Sequence, residues 1–150
     1  MSNRIMIIAI LLFLATTSVQ AAEGLITLAS KHPVKETVDR LESALTGAGF
    51  RIFARVDHGA GAASVDMALP PTELLIFGKP KAGTVLMQQN PTAGIDLPLK
   101  FLVWESTEGG VSIGWNDASW LVTRHGISTT IPLVANISGA LRKFATAAAN

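Results

Sequence analysis

The chain has no cysteine and no tyrosine. Without cysteine there is no disulfide, no thiol nucleophile, no thiolate metal site and no CxxC redox pair. The fold must therefore be held by core packing, and a chain of this size can bury roughly two-thirds of its unfolded surface. Without tyrosine, no phenol can serve as acid or base. Charge is sparse too: 15% of the 150 residues, with 12 basic and 11 acidic side chains. Near-neutrality argues against a general nucleic-acid binder, which needs a basic face to displace phosphate counterions. Extended apolar runs are also scarce. Ile5 to Ala15 has 11 residues, whereas a membrane-spanning helix needs about 20.

Arg4 precedes that run, and small and polar residues follow it to Ala21. A basic start, a short apolar middle and a small-residue cleavage site are the layout of a secretory signal. Val19 and Ala21 suit the −3 and −1 positions. Residues 1–21 are thus read as a signal peptide and 22–150 as a single domain, periplasmic or secreted. Loss of Arg4 leaves 11 basic and 11 acidic residues, and no second run is long enough to span a bilayer.

Leu25 to Ala29 reads as a buried strand. Val34, Val38, Leu41, Leu45 and Ala48 recur at helical spacing. This predicts a helix over 33–47, opened by Pro33 and stopped by Gly47 and Gly49. Lys35/Asp39 and Glu36/Arg40 are i,i+4 pairs on its outer face. Phe50, Ile52, Ala54 and Val56 alternate with Arg51, Phe53 and Arg55, as in a half-buried strand. After Asp57-His58-Gly59, an alanine-rich stretch at 60–68 has room for two helical turns before Pro70-Pro71. "TELLIFG" reads as an interior strand. A short helix is expected over 83–89 and a loop over 90–100. Leu99, Phe101 and Val103 alternate with Lys100, Leu102 and Trp104. Glu108-Gly109-Gly110 turns the chain, and Val111, Ile113 and Trp115 line the return strand of a hairpin. Asp117 caps a short helix ended by Gly126. Leu133, Ile137, Leu141 and Phe144 mark a final amphipathic helix. This order predicts an α+β fold, an antiparallel sheet with helices packed on one face.

Three stretches, "VDHGAGAASVDMALPPTELLIFGKPKAGTVLMQ", "GIDLPLKFLVWE" and "WNDASWLVTRHG", in that order resemble the bacterial and archaeal family called domain of unknown function 302. The resemblance spans about residues 24–146. It implies a strand–helix–four strands–helix domain with a curved antiparallel sheet, and a tendency to dimerise. It implies no established activity. The family pattern often has asparagine between the glycine and the proline after the third strand, where this chain has Lys79.

Adjacent residues on an extended chain point to opposite faces, so Asp57 and His58 are not set to bond each other as a catalytic acid and base. Asp57 suits a helix cap, while His58 beside small residues leaves room for a ligand. His125 ends a helix, where a protonated imidazole complements the dipole. Brought together with His58 and with Glu105 or Asp117, it would suit zinc or copper. His32 precedes Pro33 as a helix-start residue. "GKPKAGT" keeps two glycines of the phosphate loop, but Thr84 and Val85 stand where Lys and Ser/Thr belong, which argues against nucleotide hydrolysis. A helix N-terminus flanked by Lys79 and Lys81 could still hold a small anion. Trp104 faces away from Phe101 and Val103, towards a ligand groove or a dimer seam. No GxSxG supports a serine hydrolase. The expectation is an exported, homodimeric binding or interaction module with no cofactor implied. Its candidate ligand-binding residues are Asp57, His58, Lys79, Trp104, Asn116 and Asp117. The alternatives are a hydrolase or isomerase with His58 as general base, and a metal-binding protein using His58 and His125.

Overall fold

A computed structural model describes residues 22–150. The signal-peptide reading of residues 1–21 lies outside them. The elements run β1 (Leu25–Ser30), α1 (Val34–Gly47), β2 (Arg51–Asp57), α2 (His58–Ala63), β3 (Thr72–Gly78), α3 (Pro80–Gln89), a 3-10 turn (Pro91–Ile95), β4 (Leu99–Glu105), β5 (Val111–Asn116), α4 (Ala118–Arg124) and α5 (Pro132–Ala149). The five strands form one open antiparallel sheet in the order β1-β5-β4-β3-β2. The fold is α+β, as the pattern of elements implies.

Helix α1 forms because its apolar residues fall on one stripe. Val34, Val38, Leu41 and Leu45 are all buried, each contributing about 1.5–3 kcal/mol by leaving water. They meet the sheet face carrying Leu75, Phe77, Phe101, Val103, Ile113 and Trp115, and α5 closes this core with Leu141, Phe144, Ala145 and Ala148. The aromatic rings stack in series: Phe77 on Phe101 at 5.0 Å, with Phe50 edge-on to Phe144 at 5.3 Å. A second cluster, Leu86, Ala93, Leu121, Val122, Ile127 and Val134, lies among α3, the 3-10 turn, α4 and α5. Leu99 and Ile137 pack against both clusters.

The structure corrects three expectations. The alternation of β2 does not run unbroken: its register against β3 shifts between Ile52 and Ala54. A bulge of this kind moves the residues beyond it to the other face. Arg55 therefore faces α1, while Val56 is 38% exposed. The Glu36/Arg40 pair is replaced by other partners. Glu36 meets His32 Nδ1 at 2.9 Å. Arg40 Nε donates to the Ala148 carbonyl at 3.0 Å, satisfying an otherwise orphaned carbonyl at the end of α5. Helix α3 starts at Pro80 rather than residue 83, because proline suits a first helical position, where its missing N–H costs nothing.

Pairing assigns the two sheet faces. Val56 lies opposite Leu74, Leu74 opposite Leu102, Leu102 opposite Gly114, and Gly114 opposite Thr27. This row and its neighbours, with Trp104 and Ile76, make the face turned away from the α1–α5 core. Trp104 lies across Gly114, where an added Cβ would stand 2.8 Å from the indole ring. Gly24, with φ +77°, is covered likewise by Trp120, which a Cβ would meet at 2.3 Å.

Candidate functional site

An apolar cavity opens at the seam between the two core clusters, with a volume of about 410 Å³. That lies within the range of small-molecule pockets, about 300–1,000 Å³. Its floor is Phe50, Phe77, Leu86, Leu99, Leu141 and Phe144. Leu97, Pro98, Leu133, Ile137 and Ala140 form further walls. The start of α3 supplies the rim, with Lys79, Gly83 and Thr84, and Asn136 faces it from α5. Among the described residues, Lys79 is the one charged residue in the lining. Its ammonium sits 4.5 Å above the Phe50 ring, a cation–π contact.

Lys79 is thus the one sequence candidate that lines this cavity. Asp57 is the N-cap of α2, its Oδ1 accepting the Ala60 N–H at 2.8 Å. His58 begins that helix and is exposed. Neither lines the cavity. The Asp57 carboxylate is committed to capping, so it does not orient His58 as a general base would require. Asp117 caps α4 by accepting the Trp120 N–H at 2.9 Å. Asn116 is exposed at the end of β5, and Trp104 lies on the sheet face away from α1 and α5.

His125 stands elsewhere, in a cluster that the chain order hid. It is 8% exposed. Its Nε2 meets Asp96 Oδ2 at 2.6 Å, and its Nδ1 meets Thr92 Oγ1 at 2.9 Å. Arg124 holds the other Asp96 oxygen at 3.1 Å, and Asn90 donates to the His125 carbonyl at 2.8 Å. With both ring nitrogens engaged, His125 is not free to bind a metal with His58. Among the described residues no three His, Asp or Glu side chains come together as a metal would require. The cluster instead ties the 3-10 turn to the end of α4, and Leu97 and Pro98, beside Asp96, are cavity wall.

Two further polar groups shape the sheet. Arg55 bridges β2 to Glu73 of β3 and to Asp39 of α1. The Glu73 hydrogen bond is the main reason the Arg55 guanidinium is raised above its ordinary range, burial opposing it. Asp39 is held below the usual carboxylate range by Lys35 and then Arg55. Lys100 is depressed by burial, with Asp96 opposing. Its ammonium folds back to the carbonyls of Asp96 and Pro98 at 2.9 and 2.8 Å.

The family profile described as "Domain of unknown function DUF302" matches residues 26–147. The chain belongs to the DUF302 family. A solved DUF302 protein, the uncharacterized conserved protein from Bacillus stearothermophilus, superposes with TM-score 0.66 over 85% of this chain and 97% of that one. At 22% identity, this likeness shows the fold alone. The chain is also similar to part of two curated proteins, each 47% identical over 118 residues, or 77% of this chain. One is named "Fluoride-specific ion channel FluC 1" of Brucella suis biovar 1 (strain 1330), of which 46% is covered. The other bears the same name in Brucella abortus biovar 1 (strain 9-941), with 44% covered. The DUF302 chain thus spans less than half the length of these relatives. Among its described residues no helix is long and apolar enough to cross a membrane.

Proposed function

We propose that this DUF302 protein is a non-enzymatic binding module for a small apolar ligand, held in the cavity between α3, α5 and the Phe50–Phe77 end of the sheet. The carrying observation is the cavity itself: about 410 Å³, with a floor of aromatic and aliphatic side chains and polar groups only at its rim. Apolar walls with a few polar groups are the usual make-up of a small-ligand site. We place the protein in the periplasm or outside the cell, on the strength of the signal-like start. The test is titration with the neutral dye N-phenyl-1-naphthylamine, whose fluorescence rises in apolar surroundings. One equivalent should bind. Ala140→Phe, which fills the cavity from α5, should abolish binding. Gly83→Leu fills it from α3, where an added Cβ meets only ordinary contacts, the nearest at 3.8 Å. Undiminished dye binding in a folded filling variant would contradict the reading.

The homodimer implied by the family resemblance has one surface that suits it. The sheet face bearing Leu74, Ile76, Leu102 and Trp104 is only half-buried. Val56, in the same face opposite Leu74, is 38% exposed. The strand pairing gives this face two charged residues: Arg51, opposite Gly78 at one end, and Lys100, whose ammonium is already tied to backbone carbonyls. Contiguous apolar surface of this kind marks interaction sites. Sedimentation velocity should show a dimer that Leu102→Glu converts to monomer.

The relatives' printed name favours a second reading, an interaction module that serves a fluoride channel. The 47% identity over 118 residues supports it. Loss of this protein should then sensitise cells to fluoride, and unchanged tolerance would count against it.

A further inference from the structure

We infer that the cavity's ligand is a single-chain carboxylate, an amphiphile whose tail fills the apolar floor and whose head meets Lys79. The inference rests on the cavity being a binding site, and it deepens that reading by naming the chemical class. Polarity in the cavity is graded in one direction. Phe50, Phe77, Leu86 and Leu141 offer a tail only dispersion and burial. The rim offers a cation: Lys79 is exposed, and its ammonium lies 4.5 Å over the ring of Phe50, itself part of the floor. Lys79 is also the N-cap of the ten-residue α3, so the positive end of that helix lies on the same rim.

No acidic side chain lines the cavity among the described residues. An organic cation would therefore meet repulsion without compensation. A wholly apolar guest would leave the ammonium with the Phe50 ring as its partner. A carboxylate replaces that contact with a charge-assisted hydrogen bond, roughly twice as strong as a neutral one. The volume limits the tail. About 410 Å³ lies near the small end of ligand pockets, which suits one alkyl chain rather than the two of a membrane phospholipid. Phe53 and Met87, both cavity-lining and 44% and 37% exposed, extend the apolar surface at the mouth.

The test is isothermal titration calorimetry of the protein at low salt with decanoate, decanol and decyltrimethylammonium. Decanoate should bind about tenfold tighter than decanol, and the ammonium more weakly than either. Shortening the acid to octanoate should weaken binding about fourfold per methylene removed. Lys79→Met should erase the preference for decanoate over decanol. Lys79→Arg should keep the preference. Retained one-to-one decanol binding by Lys79→Met separates a role in recognition from one in folding. Equal affinities for decanoate and decanol, or a preference that survives Lys79→Met, would overturn the headgroup assignment and leave the cavity reading standing. If none of the three binds, the cavity reading itself fails and takes this inference with it.

Discussion

Arg55→Met should destabilise the domain by about 2–3 kcal/mol, more than its place on an edge strand suggests. Glu73, its partner on β3, is 8% exposed, and the Arg55 side chain is 27% exposed. Removing one member of a buried ion pair costs about 3–5 kcal/mol, because it strands the other charge. Partial exposure of Arg55 lets water approach that end of the pair, so the lower figure applies. Urea unfolding followed by tryptophan fluorescence measures it. With a slope of about 2 kcal/mol/M, mid-range for a small domain, the midpoint should fall by about 1–1.5 M. The second half of the test is a double variant. Arg55→Met with Glu73→Leu removes both charges, and a buried pair replaced by apolar residues is often near neutral. It should therefore return to within about 1 kcal/mol of the parent. A single variant costing under about 1 kcal/mol, or a double variant no more stable than the single, would refute the reasoning.

Asp39 lies below its ordinary value because Lys35 and Arg55 favour its charged form. Its contribution is present above the unfolded value near 3.8 and lost as pH falls through the lower folded value. Asp39→Asn should lower stability at pH 7 and flatten the acid limb of a stability–pH curve below about pH 4, where variant and parent converge. Gly24→Ala should lower stability by about 2–4 kcal/mol in denaturant titration, since it combines positive-φ strain with a 2.3 Å approach to Trp120. His125→Ala should cost about 1–3 kcal/mol through the bonds it strands on Asp96 and Thr92. It should also weaken dye binding, because Asp96 adjoins the cavity wall at Leu97 and Pro98.

Where the sequence was legible, local chemistry had one solution. The stripe Val34, Val38, Leu41, Leu45 admits only a helix facing a core, and all four residues are buried. Asp117 before "ASWLVTR" is a cap by residue type, and it caps. The hairpin of β4 and β5 announced itself by alternation about a glycine turn. The bulge in β2 was hidden because Phe50, Ile52, Ala54 and Val56 give an unbroken alternation that a one-residue slip overrides. The clue lay in charge: Arg55 placed among apolar residues needs acids, and Asp39 and Glu73 supply them. The start of α3 was readable from Pro80, by the logic already applied to Pro33. The cavity was not readable in this way. Phe50, Phe77, Leu86 and Phe144 each looked like ordinary core, and only tertiary packing leaves space among them. The Asp96–His125 bond, spanning 29 residues, was invisible for the same reason. Asp57-His58 drew attention as acid beside imidazole, yet its carboxylate serves as the α2 cap.

The claim on which the functional account depends is that an apolar ligand enters this particular cavity. Titrating isotopically labelled protein with decanoate, and following backbone amide shifts, tests it most directly. The account predicts saturable shifts centred on Phe50, Phe77, Lys79, Gly83, Ile137 and Ala140, with Asp57, His58 and the Trp104 face of the sheet unmoved. Shifts centred on Asp57 and His58, or on Leu74, Leu102 and Trp104, with the cavity residues silent, would contradict it.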